Sequence, residues 1–418
     1  MKKYLALLLS VLMLFSLAAC GGADEEVKGM SESPLPAVKL VKDYEIKDDF
    51  KIGYICLHDE KSTYDKNFLD AANEVTTALG LKKEQVIIKT NIPEGKECYD
   101  AAVDLVDQGC DIVFANSFGH EDFMIQAAKK YPNVQFCHAT GTKAHTEGLA
   151  NYHNAFASIY EGRYLAGVAA GLKLNEMIKD GKITKEQAKM GYVGAFTYAE
   201  VVSGYTSFYL GAKSVCPSVT MEVQFTGSWY DAVEEQNAAE ALIARKCVLI
   251  SQHADSMGAP GACEAAGVPN VSYNGATYED CPETFIVSSR INWAPYYNYI
   301  IKCWNTGEAI KADWCGGIAE GSVVLTGVNL DVAAEGTYDK LVELKDKLSK
   351  GELNVFDTAN FTVGDKKLDS YVANVDDDAN FAADTEVIAN GIFEESKYRS
   401  APYFDLRIDG ITLLNEKF

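Results

Sequence analysis

The chain has 418 residues, 48% of them hydrophobic, which is enough for two domains with well-buried cores. Its 60 acidic and 38 basic residues give a formal net charge of −22 at pH 7. Such a surface repels nucleic acid and anionic lipid headgroups, so we expect no nucleic-acid partner, and it disfavours a polyanionic ligand.

The N-terminal residues have the pattern of an export signal. Two lysines precede an apolar run over residues 4–17, which is shorter than the roughly 20 residues that a membrane-spanning helix needs. A pair of alanines precedes Cys20, and this arrangement resembles the lipobox of bacterial lipoproteins, whose cysteine is diacylated after cleavage. We therefore expect a signal peptide over residues 1–20, a lipid anchor on Cys20, and an extracytoplasmic protein attached to the bacterial cell membrane. An ordinary secretory signal is the alternative.

Two further segments lack a regular apolar period. Residues 21–49 carry glycine, serine, proline and many charges, and we expect them to form a flexible tether. After about residue 360 the period weakens again, and the acidic run Asp376–Asp378 is followed by short polar segments. Residues 361–418 are predicted to form a C-terminal extension that wraps over the rest of the chain.

Between these segments, β-branched or aromatic runs alternate with amphipathic stretches of helical length, a pattern that indicates parallel sheets wrapped by helices. After the first strand, the apolar positions from Phe68 to Leu79 have helical spacing, and Gly80 ends that helix. The first series of strands is predicted at Lys51–Leu57, Val86–Thr90, Asp111–Ser117, Val134–Thr140 and Leu149–His153, with helices near Glu97–Gln108 and Glu121–Tyr131.

The alternation restarts after a helix of small residues around Arg163–Leu174. The second series of strands is predicted at Met190–Phe196, Thr220–Thr226, Val248–Ala254 and Pro269–Asn274, with helices near Val201–Ser214, Asp231–Lys246 and Ala259–Ala266. Later strands near Phe285–Arg290 and Ser322–Thr326, with a helix over Trp293–Trp304, are expected to cross back between the two series.

The pattern therefore predicts an α/β fold of two doubly wound parallel-sheet lobes joined by a multi-strand hinge. The N-terminal lobe is assigned to residues 50–154 with 288–320, and the C-terminal lobe to residues 155–287 with 321–360. Open α/β sheets bind ligands outside the carboxyl ends of their strands, so the cleft between the lobes is the expected site.

Ten cysteines follow Cys20, and an even number in an exported chain raises the question of disulfides. Cys56, Cys137 and Cys247 lie in apolar, strand-like runs, where a free cysteine behaves as a small core hydrophobe. Mostly free thiols are therefore favoured over a disulfide framework, and the pattern leaves any pairing open.

Sequence signatures of enzymes are weak. No nucleophile elbow, zinc-protease motif, phosphate-binding loop or dinucleotide fingerprint occurs. The six histidines do not cluster, so we expect no metal site and no cofactor. Cys137 and His138 are neighbours on a predicted strand and face opposite sides, so they cannot act as nucleophile and base. No catalytic residue is predicted, and we expect the protein not to be an enzyme.

The loops at the predicted strand ends are instead rich in aromatic, amide and acidic residues. An aromatic ring from each lobe can stack on a flat ligand, a contact worth about 1–3 kcal/mol per base in nucleic-acid binders. Amide and carboxylate groups around such a slot discriminate between heterocycles by hydrogen bonding, and Asp255 would accept from an exocyclic amine or a ribose hydroxyl. The candidates are Tyr64, Asn67, Ser117, Phe118 and Gly119 in the first series, with Trp229, Asp255 and Trp293 further along the chain.

These candidates have structural alternatives. Tyr64 and Phe118 could instead cover the core of their own lobe, and Asp255 could cap the helix near Ala259. Trp229 follows Gly-Ser directly before a helix, where it is harder to bury locally, so the cleft is favoured for it. The neighbouring His253 is expected to be structural.

Six blocks carry a family resemblance: Ala115–Gly119, His138–Gly141, Tyr160–Gly167, Gly227–Asp231, Ser251–Ser256 and Trp293–Tyr297. Together they resemble the basic membrane protein family of substrate-binding lipoproteins, in particular the purine nucleoside receptors of ABC importers. Within that family, the Ser-Phe-Gly, Ser-Trp and Gln-His-x-Asp-Ser motifs are similar to the branch associated with adenine or purine bases.

The resemblance implies a type I periplasmic-binding-protein fold and a monomeric receptor that captures a purine base or nucleoside and delivers it to an ABC permease. It also implies aromatic contacts and polar contacts to the ligand. The aromatic ones are Tyr64, Phe118, Trp229 and Trp293, and the polar ones are Ser117, Asp255 and Asn274. Nucleoside-binding members carry a lysine near the late strand, where this chain has Ser288–Asn292, so ribose contacts stay open.

Other functions remain as alternatives. The same fold could bind a sugar, a flavin or an organic cation, because aromatic slots with one aspartate serve all of these. A surface hydrolase acting on nucleosides would need a base and a nucleophile or activated water in the cleft. A sensory module would dock to a signalling receptor after closure.

Overall fold

The computed structural model describes residues 29–376 and 382–416, so the predicted signal peptide and Cys20 lie outside the described residues. The first elements are β1 (Ile52–Ile55), α1 (Thr63–Leu79), β2 (Val86–Lys89), α2 (Lys96–Asp107), β3 (Ile112–Ala115), α3 (Glu121–Lys130), β4 (Gln135–Ala139), α4 (Ala144–Glu147) and β5 (Tyr152–Ala157). They continue with α5 (Ile159–Lys179), β6 (Lys189–Gly194), α6 (Ala199–Val215), β7 (Thr220–Phe225), α7 (Ala232–Ala244), β8 (Leu249–His253), α8 (Gly258–Ala266), β9 (Asn270–Tyr273) and β10 (Phe285–Ile291). The last are α9 (Ala294–Thr306), β11 (Asp313–Gly316), β12 (Val323–Leu325), α10 (Thr337–Ser349), β13 (Val372–Ala373), β14 (Thr385–Glu386), β15 (Ile388–Ala389), β16 (Ile392–Phe393) and β17 (Ile411–Leu413).

Two large sheets form the two lobes. The first has the order β11-β5-β4-β3-β1-β2 and is parallel throughout. The second has the order β12-β10-β9-β8-β6-β7-β17 and is parallel except where β12 pairs with β10. Short antiparallel pairs join β13 to β14 and β15 to β16. The predicted α/β fold with two parallel-sheet lobes is confirmed.

The first β-α unit has the local signals that the sequence predicts. The Ser62 hydroxyl accepts a hydrogen bond from the Asp65 backbone N–H and caps the start of α1. Phe68, Val75 and Leu79 lie on the buried face of this helix. Gly80 ends it with a positive φ of 67°, a conformation that glycine adopts without strain. The loop before α1 therefore holds its side chains at the carboxyl end of β1.

The chain passes between the lobes after β5, after β10 and after β11. The second passage lies later than the predicted boundary at residue 288, because the whole of β10 pairs within the second sheet. Ser289 of β10 pairs with Tyr273 of β9, and only after Ile291 does the chain return to the first lobe as α9. Three crossings that join two lobes are the arrangement expected of a hinge.

Helices α5 and α6 pack so closely that glycines are required at their contact. A Cβ atom on Gly167 would lie 2.0 Å from the carbonyl oxygen of Phe208, and one on Gly211 would lie 2.0 Å from that of Tyr164. The small-residue helix of the sequence is therefore a packing surface within the second lobe.

The described part of the predicted tether lies on the folded body. The Leu325 backbone N–H donates to the Leu35 carbonyl at 3.0 Å, and the Ser31 N–H donates to the Val328 carbonyl at 2.9 Å. Further on, the Tyr44 hydroxyl donates to Asn298 on α9. The segment predicted as a flexible tether over 21–49 is therefore packed on the lobes from about residue 31. Leu35 is buried there and bonds to β12 through its backbone carbonyl.

The C-terminal extension packs on the rest of the chain. Strand β17 adds a parallel edge to the second sheet beside β7. Phe404 stacks on Phe356 with ring centroids 4.3 Å apart, which joins the extension to the chain that follows α10.

The ten cysteines after Cys20 are free thiols, and nine of them are buried. Burial raises the pKa of the Cys137 thiol to about 12, so this group stays protonated and packs as a core residue. Among the helices that the structure describes, none is both long and apolar enough to cross a lipid bilayer.

Candidate ligand-binding site

A cavity lies between the lobes, where the carboxyl ends of the two sheets face each other. It holds about 400 Å³ of empty space, partly open to solvent, and we call it the inner cavity. Five residues predicted from the sequence line it: Tyr64, Ser117, Phe118, Trp229 and Asp255. The other lining residues are Leu57, His58, Asp65, Thr140, Glu200, His253 and Tyr273.

The loop after β3 presents Phe118 to the inner cavity. It forms a short 3-10 turn over Phe118–His120. The Ser117 hydroxyl and the Gly119 N–H both donate to Glu94, at 2.5 and 2.8 Å, which holds the turn in place. Gly119 does not line the cavity, and a Cβ atom there would lie 2.7 Å from the Glu94 side chain. Gly119 thus positions Phe118, whose ring stays 37% exposed.

Aromatic rings enclose the inner cavity from both lobes. Trp229 packs edge-on against Phe196, with ring centroids 5.0 Å apart. The Tyr64 hydroxyl donates to the Asn116 carbonyl at 2.7 Å, which fixes its ring against the first lobe. Across the cleft, the Phe118 ring lies 5.3 Å from the ring of Tyr198. A flat ring system would meet aromatic faces from both lobes.

Asp255 is a buried carboxylate on the second lobe. Its Oδ1 accepts a hydrogen bond from Asn274 at 3.2 Å. Burial raises its pKa well above the usual value, and the nearby carboxylates of Glu235 and Asp65 add to this. The alternative of a helix cap is not seen, because Met257 precedes α8 and the Ser256 hydroxyl accepts from the Gly258 N–H.

Asp65 faces Asp255 from the first lobe. It accepts from the His58 N–H at 3.0 Å and from the Asn116 amide at 2.7 Å. Burial alone would raise its pKa, but hydrogen bonds from His58, Asn116 and Ser62 outweigh it, and the pKa is lowered. Two carboxyl groups in one cavity therefore have opposite pKa shifts.

His253 and Glu200 form a pair that the sequence did not single out as ligand contacts. The His253 Nε2 lies 3.4 Å from a Glu200 carboxylate oxygen, and the His253 ring lies 4.5 Å from that of Tyr273. Burial lowers the pKa of His253. Glu200 stands in the first turn of α6 and Tyr273 ends β9, positions where strand-end placement alone could have identified them.

Asn67 and Asn274 meet each other rather than the inner cavity. The Asn67 amide of the first lobe donates to Asn274 of the second at 3.3 Å. Thr63 donates its backbone N–H and its hydroxyl to the Asp255 carbonyl, both at 3.1 Å. These contacts hold the lobes together on one side of the cavity, so the structure has a closed cleft.

Trp293 does not contact the inner cavity, contrary to the prediction. It is 1% exposed and stacks on Phe68 with centroids 4.5 Å apart, in the core of the first lobe. Pro295 lies in the first turn of α9, and the helix that follows packs against α1, which turns the indole inward. Its role is therefore in folding.

The charge around the inner cavity is acidic. Asp65, Glu200 and Asp255 line it, whereas no lysine or arginine is among the described residues that do so. No group of acidic, histidine and cysteine side chains in the described ranges is arranged to hold a metal ion. Such a site can accept hydrogen bonds from a ligand and offers no cation to a phosphate.

Two curated relatives share much of this chain. A purine-binding protein of Brucella abortus is 31% identical over 353 residues, which cover 79% of this chain and 94% of the relative. A putative ABC transporter glucose-binding protein of Haloferax volcanii is 31% identical over 246 residues, which cover 59% of each chain.

A solved structure supports the fold at low sequence identity. The ABC transporter solute-binding protein of Aeropyrum pernix superposes with a TM-score of 0.60 at 15% identity, over 72% of this chain and 92% of that one. This likeness confirms the type I periplasmic-binding-protein fold.

The model of one family matches residues 54–359, which include every residue of the inner cavity. Proteins of this kind bind small solutes outside the cytoplasm for ABC transporters and are not enzymes. The chain therefore belongs to the Bmp family of PnrA-like ABC transporter substrate-binding proteins.

Proposed function

We propose that this protein captures a purine base or nucleoside in the inner cavity and presents it to an ABC permease. The observation that carries the proposal is the composition of the cavity wall. Aromatic rings from both lobes surround a narrow space that carboxylates border and no described cationic side chain lines. Stacking then supplies affinity, and the carboxylates supply selectivity.

The carboxylates favour a ligand that donates hydrogen bonds. Asp65 and Asp255 face the same space from opposite lobes, and a carboxylate in its ionised form only accepts hydrogen bonds. An exocyclic amine or a ring N–H of a purine would satisfy them, whereas an oxygen-rich anion would be repelled. We propose Tyr64, Ser117, Phe118, Trp229 and Asp255 as the contacts, with Asn67, Gly119 and Asn274 as positioning residues.

The name of one relative supports a purine ligand, and the name of another suggests a sugar as the alternative ligand. The Brucella relative is named a purine-binding protein, and the Haloferax relative is named as binding glucose. A sugar also packs on aromatic rings.

Titration calorimetry on the protein tests the proposal directly. Adenine, guanine, adenosine, inosine, xanthine and glucose would each be titrated into protein freed of carried-over solute by unfolding and refolding. Heat from at least one purine, and none from glucose, is expected. Flat traces for all the purines would overturn the proposal, and mass spectrometry of the solute carried through purification would then name the ligand class.

Attachment to the membrane is the second part of the proposal. Cys20 would carry the lipid, and a monomer would dock to the permease with its lobes closed. Lipid-labelled protein should appear in the membrane fraction of cells that express the full chain, and a Cys20→Ser variant should lose the label. A label that stays on the variant would exclude Cys20 as the anchor.

A further inference from the structure

Arg163 is a fully buried cation inside the second lobe. It lies in the second turn of α5 and is 0% exposed. Its Nη1 donates to the carbonyl of Ser272 at 3.2 Å and to the hydroxyl of Ser289 at 3.3 Å. Its Nη2 donates to the hydroxyls of Tyr192 at 3.2 Å and Ser251 at 2.7 Å. These partners lie on β9, β10, β6 and β8, so one guanidinium joins four neighbouring strands of the second sheet.

Three aromatic rings surround the same guanidinium. Its Cζ lies 4.9 Å from the ring centroid of Phe208, 5.1 Å from that of Tyr273 and 5.5 Å from that of Tyr192. These distances are within the range of cation–π contacts. A buried charge is costly unless its hydrogen bonds are made, so the bonds and the rings together hold the side chain in one position.

Tyr273 connects Arg163 to the ligand site. Its ring lines the inner cavity and lies 4.5 Å from the ring of His253, which lines the cavity as well. The His253 Nε2 lies 3.4 Å from the carboxylate of Glu200, a third residue of the wall. Three residues of the cavity wall therefore pack on one another and, through Tyr273, on the buried cation.

The residues just before Arg163 contact the hinge. The first crossing leads directly from β5 into α5. The Glu161 carboxylate accepts a hydrogen bond from the Ile318 N–H at 2.7 Å, in the crossing between β11 and β12. Gly162 allows close packing at the end of that crossing, because a Cβ atom there would lie 2.8 Å from the Val323 side chain. Consecutive residues of α5 therefore contact the crossings and the interior of the second sheet.

We propose that Arg163 is a positioning residue for ligand binding, which links the hinge to the inner cavity by fixing the ring of Tyr273 and, through that ring, the imidazole of His253. The inference rests on the proposed function and goes beyond it, since Arg163 is not among the described residues that line the cavity. A rotation of α5 at the crossings moves the guanidinium, and the guanidinium moves the wall. Closure of the lobes and the shape of the cavity wall are thereby coupled.

The charge of Arg163 also acts on His253. The groups that face the imidazole are Glu200 on α6, Arg163 on α5 and Tyr273 on β9. Burial lowers the pKa of His253, the Glu200 carboxylate raises it, and the positive charge of Arg163 lowers it further. Burial raises the pKa of Tyr273 well above its usual value, so this phenol stays uncharged. Removal of the Arg163 charge should therefore raise the pKa of His253.

Nuclear magnetic resonance of the histidine rings tests the link without a ligand. Protein with 15N-labelled histidine would be titrated from pH 8 to pH 4.5, and His253→Gln would identify the signals of this ring. Arg163→Met removes the charge from a side chain of similar length, and the midpoint of His253 should rise by at least about 0.5 pH units. Leu242→Ala, buried on α7, is the matched control for a loss of stability and should shift the midpoint by less than about 0.2 pH units.

An unchanged midpoint in Arg163→Met, or equal shifts in both variants, overturns the inference. It is also overturned if His253 stays neutral down to pH 4.5 in the native protein and in Arg163→Met alike.

Calorimetry tests the consequence for binding, with the purine that binds the native protein most tightly as the probe. Arg163→Lys keeps the charge but loses the planar fork, and it should weaken binding about tenfold or more. Ser251→Ala removes one acceptor of the fork and should weaken binding about threefold. Ser207→Ala is the matched control, because this buried hydroxyl bonds within α6, and it should change the affinity less than about twofold.

Affinities of Arg163→Lys and Ser251→Ala that equal that of Ser207→Ala overturn the inference. If Arg163→Lys fails to fold, Ser251→Ala decides. If the native protein binds no purine, the proposed function is overturned, and the resonance comparison still decides whether Arg163 positions the cavity wall.

Discussion

Thr63 at the start of the first lobe's α1 donates both its backbone N–H and its hydroxyl to the carbonyl oxygen of Asp255, in the second lobe, at 3.1 Å each. The Asp255 side chain lines the inner cavity. The loop that presents a carboxylate to the ligand is therefore also the loop that the opposite lobe holds when the cleft is closed. Ligand binding and lobe closure share this contact, so each should strengthen the other.

Removing the Thr63 hydroxyl should weaken ligand binding and leave the stability of each lobe unchanged. Thr63→Val keeps the side-chain shape and the backbone bond but deletes one bond between the lobes, a loss of about 0.5–1.5 kcal/mol, or about two- to tenfold in affinity. Stopped-flow measurements should show the change mainly in the rate of ligand release. Thr77→Val, whose hydroxyl bonds to Asn73 within the same helix, is the control. Equal release rates for the two variants would rule out a role for Thr63 in closure.

The carboxylate of Asp255 should be needed for binding and not for folding. Asp255→Asn keeps the size of the side chain but replaces an acceptor oxygen with a donor, and a buried polar group left without its partner costs about 1–3 kcal/mol. We expect a loss of affinity of more than about tenfold by calorimetry. The variant should melt no lower than the native protein at pH 8, because it removes a carboxyl group whose pKa burial raises. Asp339→Asn, on the exposed face of α10, is the control. Unchanged affinity would remove Asp255 from the site.

Substitution of Trp229 should lower ligand affinity, whereas substitution of Trp293 should lower the free energy of unfolding. Trp229→Ala removes a ring from the wall of the inner cavity and should cost about 1–3 kcal/mol of binding free energy, with a small change in melting temperature. Trp293→Ala removes a ring from the core of the first lobe and should cost about 3–5 kcal/mol of unfolding free energy. Denaturant unfolding and calorimetry on both variants check the contrast. A Trp293 variant that keeps its stability and loses ligand affinity would restore the sequence-based assignment of this residue to the site.

The sequence predicts the parts of the site that depend on local chain direction. Each strand of the parallel sheets ends at the cleft, so the residues that follow β1, β3, β7 and β8 are delivered there whatever the rest of the fold does. Tyr64, Phe118, Trp229 and Asp255 all follow this rule. Trp293 also follows a strand, β10, but its direction depends on how α9 packs against α1, which no local pattern encodes.

The remaining differences arise from contacts between distant parts of the chain. Asn67 and Asn274 were predicted to touch the ligand, but they bond to each other across 207 positions because the lobes close. Tyr273 lies inside the predicted strand Pro269–Asn274, and the sequence does not single it out because a tyrosine fits a buried strand equally well. The extension has only short strands, and its position depends on bonds such as that between Ser203 and Glu395, which the apolar period cannot reveal.

Two carboxyl groups, one buried and one half-buried, lie where the extension meets the crossing after β11. Glu395 is 2% exposed and accepts from Ser203 and Ser396, while Glu161 accepts from the Ile318 N–H in the crossing after β11. Burial raises the pKa of each to about 7. The carboxylate of Glu161 raises the pKa of Glu395 further, and that of Glu320 raises the pKa of Glu161. Opposing this in part, the serine hydroxyls and Arg399 lower the pKa of Glu395.

These shifts should make the unfolding free energy fall as the pH rises. A carboxyl group with a pKa of about 7 when folded and near its ordinary value of 4.5 when unfolded stabilises the fold fully below about pH 4.5, and this contribution is lost as the pH rises through 7. Glu395→Gln stays neutral and should be more stable than the native protein at pH 8, by on the order of 1–3 kcal/mol, with the difference vanishing towards pH 5. Glu352→Gln, at an exposed position, should leave the pH profile unchanged. Denaturant unfolding from pH 5 to 8 measures both variants, and parallel profiles for the native protein and Glu395→Gln would show that this carboxyl group is already ionised in the folded state at pH 5.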